Sequence, residues 1–108
     1  MTTYKTENLI GGEIKTDQVK VLADTYYRGM PLKYNSATDR YEYSATAGEM
    51  AAVWLEETRI IATSDLRGSV IVGGEINAAG IVDDSGDALT ITDAMISLAE
   101  PDGFYIKR

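Results

Sequence analysis

The 108-residue chain contains no cysteine and no histidine. The first absence excludes a disulfide framework and a cysteine-type zinc site. The second removes the commonest general base and the commonest metal ligand together. No apolar run approaches the roughly 20 residues of a membrane-spanning helix, and the N-terminal residues show no signal-peptide pattern. The length predicts one domain with a single core that needs no staples, soluble and with no need of an oxidising compartment. An enzyme without histidine or cysteine would have to run on carboxylates. The adjacent pair Glu56-Glu57 is a poor candidate, because neighbouring strand residues face opposite sides. No catalytic set, cofactor site or metal site is expected.

Charge is unevenly placed within the net −7. Residues 1–40 carry six basic and five acidic side chains, whereas residues 41–106 carry twelve acidic ones against Arg59 and Arg67. Such a body repels phosphate, so nucleic-acid binding by the globular part is not expected. It is read either as a solvated acidic surface that keeps the protein soluble, or as an outward-facing body behind a near-neutral docking arm.

The best-punctuated stretch runs from Arg28 to Glu57. Leu32-Lys33-Tyr34 and Arg40-Tyr41-Glu42-Tyr43 alternate, which places Tyr41 and Tyr43 on one face. Between them Asn35 to Asp39 supplies Asn, Ser, Thr and Asp, whose side chains bond their own backbone in turns. Residues 28–43 therefore predict a hairpin with a five-residue loop. Met50 to Leu55 is continuously apolar, as expected of a strand covered on both sides.

The flanking segments extend the β pattern. Lys15 to Tyr27, with Val19, Val21 and Ala23 at period two, predicts one strand and a turn at Asp24-Thr25. Arg59–Thr63 and Ser69–Val72 predict two more, with a turn at Asp65–Gly68 between them and a bulge or bend at Gly73-Gly74. Glu75–Asn77 and Ile81-Val82 read as short returns on either side of Ala78–Gly80. The double glycine lacks the Lys-Ser/Thr of a phosphate loop. Asp83–Asp87 is the densest acidic cluster, yet the sixth and twelfth residues from Asp83 are Ala88 and Ala94. A calcium loop wants glycine and a carboxylate there, so the cluster predicts a turn. Ile91, Met95 and Leu98 fall on one helical face, with Thr90 as cap and Asp93 in the first turn. Pro101 ends the helix, Asp102-Gly103 turns the chain, and Phe104–Ile106 closes it as a strand. The fold class is mostly β (α+β), with one late helix.

Two features bear on partners. Residues 1–13 are polar apart from Tyr4 and the pair Leu9-Ile10, with Gly11-Gly12 following as a flexible joint. The segment is either a disordered tail or an arm that orders on a partner. In the second reading Leu9 and Ile10, with Tyr4 and Asn8, are the contact residues. Tyr26, Tyr27, Tyr34, Tyr41 and Tyr43 are read either as half-buried strand packing with wet hydroxyls or as a stacking platform for sugars or bases.

Taken together, Gly29-Met30-Pro31-Leu32, Thr38-Asp39-Arg40-Tyr41, Gly48 to Trp54, Gly73-Gly74-Glu75 and the helix and strand of Thr90 to Ile106 form a familiar layout. Over residues 14–108 it resembles the head decoration, or capsid cement, proteins of tailed phages of the lambda type. The resemblance implies a non-enzymatic structural protein with a β-clip-like fold. It implies an arm over residues 1–13, a single domain over 14–108, and homotrimers on the outer surface of an expanded capsid after synthesis in the host cytoplasm. There the partner is the major capsid protein, and the shell is braced against packaged DNA. The reading from another class is a small β-barrel adaptor or head/tail-completion component, which differs by its low copy number.

Overall fold

The β-forming run Ser69–Val72 lies inside an eleven-residue strand around which the main sheet is arranged. In the computed structural model, which describes residues 9–62 and 66–108, strand β7 (Arg67–Asn77) pairs antiparallel with β1 (Ile10–Lys20) along one edge. Along its other edge β7 meets β5 (Ala52–Trp54), antiparallel, and then β8 (Phe104–Lys107), parallel. From β5 the sheet continues to β3 (Pro31–Asn35) and β4 (Arg40–Tyr43). Beyond the end of β1, Val21 bridges Tyr41 of β4, and the Leu22 amide donates to the Tyr41 carbonyl at 3.0 Å. At that end the sheet curls back on itself like a barrel. Strands β2 (Asp24–Tyr26) and β6 (Arg59–Ile61) form a separate two-stranded ribbon. The protein is mostly β with one short C-terminal helix, α1 (Asp93–Ala99).

The continuously apolar strands are apolar because they are covered on both sides, as the sequence predicts for Met50–Leu55. Val53 and Ile71 point into one core with Leu9, Met50, Ile76, Ile81, Met95 and Phe104. Their neighbours Ala52, Trp54 and Val70 point into a second with Val21, Tyr26, Met30, Leu32 and Ile61. Trp54 and Tyr26 stack there at a centroid distance of 4.9 Å. Gly68 lies under the indole, where a Cβ would come within 2.0 Å of Trp54 Cη2.

The hairpin forms where expected, but its loop has four residues, 36–39, because Asn35 pairs with Arg40. Asn35 Oδ1 accepts from the Ala37 amide at 3.0 Å. Asp39 closes the loop at φ 55°, a conformation that Asp tolerates better than most residues. The strand expected over Lys15–Tyr27 is two strands. β1 ends at Lys20, and Asp24-Thr25, read as a turn, instead begins β2 opposite Ile61 and Ile60. The bulge expected at Gly73-Gly74 is present, within one continuous strand rather than between two. Gly74, at φ 119°, lets the β1 backbone approach so closely that a Cβ would lie 2.3 Å from the Glu13 carbonyl oxygen. The register shifts there and pairing resumes with Ile10 opposite Ile76. Gly68, expected in a turn, is already part of β7, while Asp65 and Thr63 lie outside the described residues.

The helix cap is Thr92 rather than Thr90: its hydroxyl accepts from the Met95 amide at 3.2 Å. The buried stripe runs Ile91, Met95, Ala99, and Leu98 is left half-exposed above Gly48. Gly103, at φ 93°, turns the chain into β8. Asp83–Asp87 is a turn, with Asp83 Oδ1 accepting from the amides of Ser85 (2.9 Å) and Asp87 (3.0 Å).

Candidate functional site

The residues singled out as a contact arm occupy two different environments. Tyr4 and Asn8 lie outside the described residues. Leu9 is only 2% exposed and belongs to the core with Ile76, Phe104 and Ile106. Its carbonyl accepts from the Asn77 amide at 2.7 Å. Ile10, half-buried, packs against the same core and opens β1. The expectation that Leu9 and Ile10 reach a neighbouring subunit is thus corrected. Their apolar side chains find partners on β7 and β8 of their own chain, and residues 9–13 belong to the domain rather than to an arm ending at residue 13. Gly11-Gly12 is not a joint but a place of close approach, where a Cβ on Gly12 would lie 2.2 Å from Glu75 Oε1.

Few titratable groups are perturbed, and each shift has a local cause. Burial, with the Asp24 and Glu42 carboxylates, pushes the Tyr26 phenol well above its ordinary range. That hydroxyl is not wet, as the tyrosine reading supposed, but donates to the Leu22 carbonyl at 2.6 Å. The Tyr34 phenol is raised by its hydrogen bond to Asp39, and that of Tyr43 by burial and by Asp84 and Asp83. Among the described residues Glu56 is the one perturbed carboxyl. Burial opposes its ionisation, but the Ser69 amide (2.6 Å) and the Arg59 guanidinium (2.9 Å) outweigh it and hold the pKa below 4.5. This carboxylate ties the connection between β5 and β6 to β7.

A folded pKa below the unfolded one stabilises fully above the unfolded value, near 4.5, and the contribution is lost as pH falls through the folded value. Glu56→Gln should therefore cost about 1–2 kcal/mol at neutral pH. Parallel denaturant melts of the two proteins should converge as pH falls below about 4.5 and through the lowered folded-state value. A gap independent of pH would contradict this role.

The five tyrosines do not form one platform. Tyr26 is in the core, and Tyr27 lies beneath Gly86, whose Cβ position is 2.8 Å from the ring. Tyr41 and Tyr43 pack on the second core. Tyr34, 45% exposed, is the most open of the five and lies beside Tyr41 with ring centroids 5.2 Å apart. Next to this pair the β1–β7 register sets Lys20 directly opposite Arg67. Sequence reasoning missed these two cations because only the long-range pairing joins them. Among the described residues no group of three candidate metal ligands occurs. No helix is long and apolar enough to cross a membrane among them. No protein-family model and no curated protein matches this chain.

Proposed function

We propose that the protein is a capsid decoration protein of a tailed phage, binding the outer surface of an expanded head as a homotrimer and cementing neighbouring major capsid proteins. The observation that carries this reading is the placement of β1. It is an eleven-residue strand on the edge of the sheet, rooted at its start by Leu9 in the core and entered directly from the polar N-terminal segment. A two-core β domain of this kind is a rigid body from which such a segment reaches a partner. The succession of hairpin, covered strand, glycine-kinked strand, late helix and closing strand follows the layout on which the sequence resemblance rests. With Leu9 and Ile10 assigned to the domain, the contact role in this proposal passes to residues 1–8, including Tyr4 and Asn8.

Three linked contacts of modest strength give high avidity on a shell. A variant beginning at Leu9 should therefore keep its melting temperature and lose co-sedimentation with empty expanded heads. The full chain should saturate them at hundreds of copies per head. Saturation at the few copies of a ring would instead identify a connector or head-completion component, and undiminished binding of the truncated variant would remove the N-terminal segment from the interface.

A further inference from the structure

A cleft of about 320 Å³ opens beside the Tyr34–Tyr41 pair, lined also by Gln18, Lys20, Asp39 and Arg67. Its chemistry is unlike the rest of this acidic protein. Lys20 and Arg67 stand directly opposite each other on antiparallel strands, where like charges repel and destabilise the pairing. Neither makes an ion pair with any described residue. The Arg67 guanidinium is oriented instead by donating to the Gln18 carbonyl at 3.4 Å. Beside the cations the Tyr34 ring lines the cleft, tilted 59° from Tyr41 and fixed by the hydrogen bond from its hydroxyl to Asp39 Oδ1 at 2.5 Å.

We infer that this cleft binds an acidic saccharide, with a pyranose ring on the face of Tyr34, its carboxylate between Lys20 and Arg67, and its hydroxyls on Asp39 and Gln18. Two cations against one carboxylate leave the cleft a single positive charge, which a monoanion neutralises. The carboxylate geometry suits the planar donors of arginine. Asp39 keeps acceptor capacity for a sugar hydroxyl beyond its bond to Tyr34. A nucleic acid fits less well. The tilted pair forms no parallel slot for a base, and a polyphosphate would meet both Asp39 and a chain of net charge −7. This inference goes beyond the decoration reading and does not depend on it.

The test is an amide-resolved NMR titration of the full chain with galacturonate, beside neutral galactose and a short oligothymidylate. Saturable shifts at Gln18, Lys20, Tyr34 and Arg67 are expected with the uronate alone. Arg67→Gln and Tyr34→Ala should each weaken it by about tenfold or more, equivalent to about 1.4 kcal/mol, while Arg67→Lys, which keeps the charge but loses the planar fork, should weaken it by less than Arg67→Gln. Lys20→Gln should weaken binding without lowering the melting temperature, because it relieves the opposed charges. Equal shifts with the neutral sugar, no shifts at these residues, tighter binding of the oligothymidylate, or insensitivity to the variants would each overturn the assignment.

Discussion

Leu9→Ala should lower the stability of the isolated domain by about 2–5 kcal/mol, which for a domain of this size is a fall of about eight degrees or more in melting temperature by the usual conversion of about 4–8 °C per kcal/mol. Leu9 is 2% exposed and touches a core to which β7, β8 and α1 all contribute. Truncating it leaves a cavity as well as removing apolar burial, and the neighbouring β8 cannot close the gap without giving up its register with β7. Ile10 is only half-buried, so Ile10→Ala should cost less, about 1–2 kcal/mol. The ordering of the two is diagnostic. An anchor that reached out to another subunit would leave both variants as stable as the parent and show its loss only in binding. Thermal melts of the free protein decide the matter, and Leu9→Ala melting with the parent would place that side chain outside the core.

The second large effect is expected at Gly29. Its φ of 94° belongs to the left-handed region, and a Cβ there would sit 2.0 Å from the Gly80 carbonyl oxygen. The backbone around it is fully committed: the Gly29 amide donates to the Trp54 carbonyl at 2.8 Å, and its own carbonyl accepts from the Val82 amide at 3.1 Å. Gly29→Ala therefore incurs about 1–2 kcal/mol for the conformation alone. Beyond that, the 3-10 turn Ala78–Gly80 must move, which strains the bonds that hold Val82 and β5 to this corner. A total loss of about 3 kcal/mol or more is expected, at the high end for single substitutions. By contrast Gly103→Ala meets nothing within 4 Å and should cost only its left-handed conformation, about 1–2 kcal/mol. Equal melting temperatures for the two variants would show that the corner at Gly29 yields more freely than its geometry implies.

The parts of the fold that were legible in the sequence are those fixed by neighbours in the chain. Asn35 to Asp39 writes a turn in its own side chains, and Asp83 does the same for the acidic cluster. Ala52-Val53-Trp54 reads as a strand covered twice because both of its faces are apolar. What was not legible depends on pairing between distant segments. Leu9-Ile10 shows no periodicity, since its partners Ile76, Phe104 and Ile106 lie far along the chain. Gly11-Gly12 looks like a hinge until Glu75 and Asn77 are brought against it. Val19, Val21 and Ala23 keep a period-two pattern in the sequence past the end of β1, yet Ala23 is exposed and the chain resumes pairing at Asp24 in the other sheet, where Tyr26 is the next buried residue. The helix stripe shifted from Leu98 to Ala99 because the short helix docks through Met95 and Ala99, while the open space over Gly48 accepts Leu98. In the candidate saccharide cleft the tyrosines were visible and the cations were not. Lys20 and Arg67 acquire meaning only from the register that sets them opposite one another.

The proposed cementing role is tested most directly by the temperature at which DNA-filled heads lacking this protein release their DNA, measured as purified protein is added back. The proposal predicts that the release temperature rises with the number of copies bound and levels off when the heads are saturated, in occupied clusters of three. Heads that bind the protein to saturation and still release DNA at the undecorated temperature, or that bind none, would contradict it.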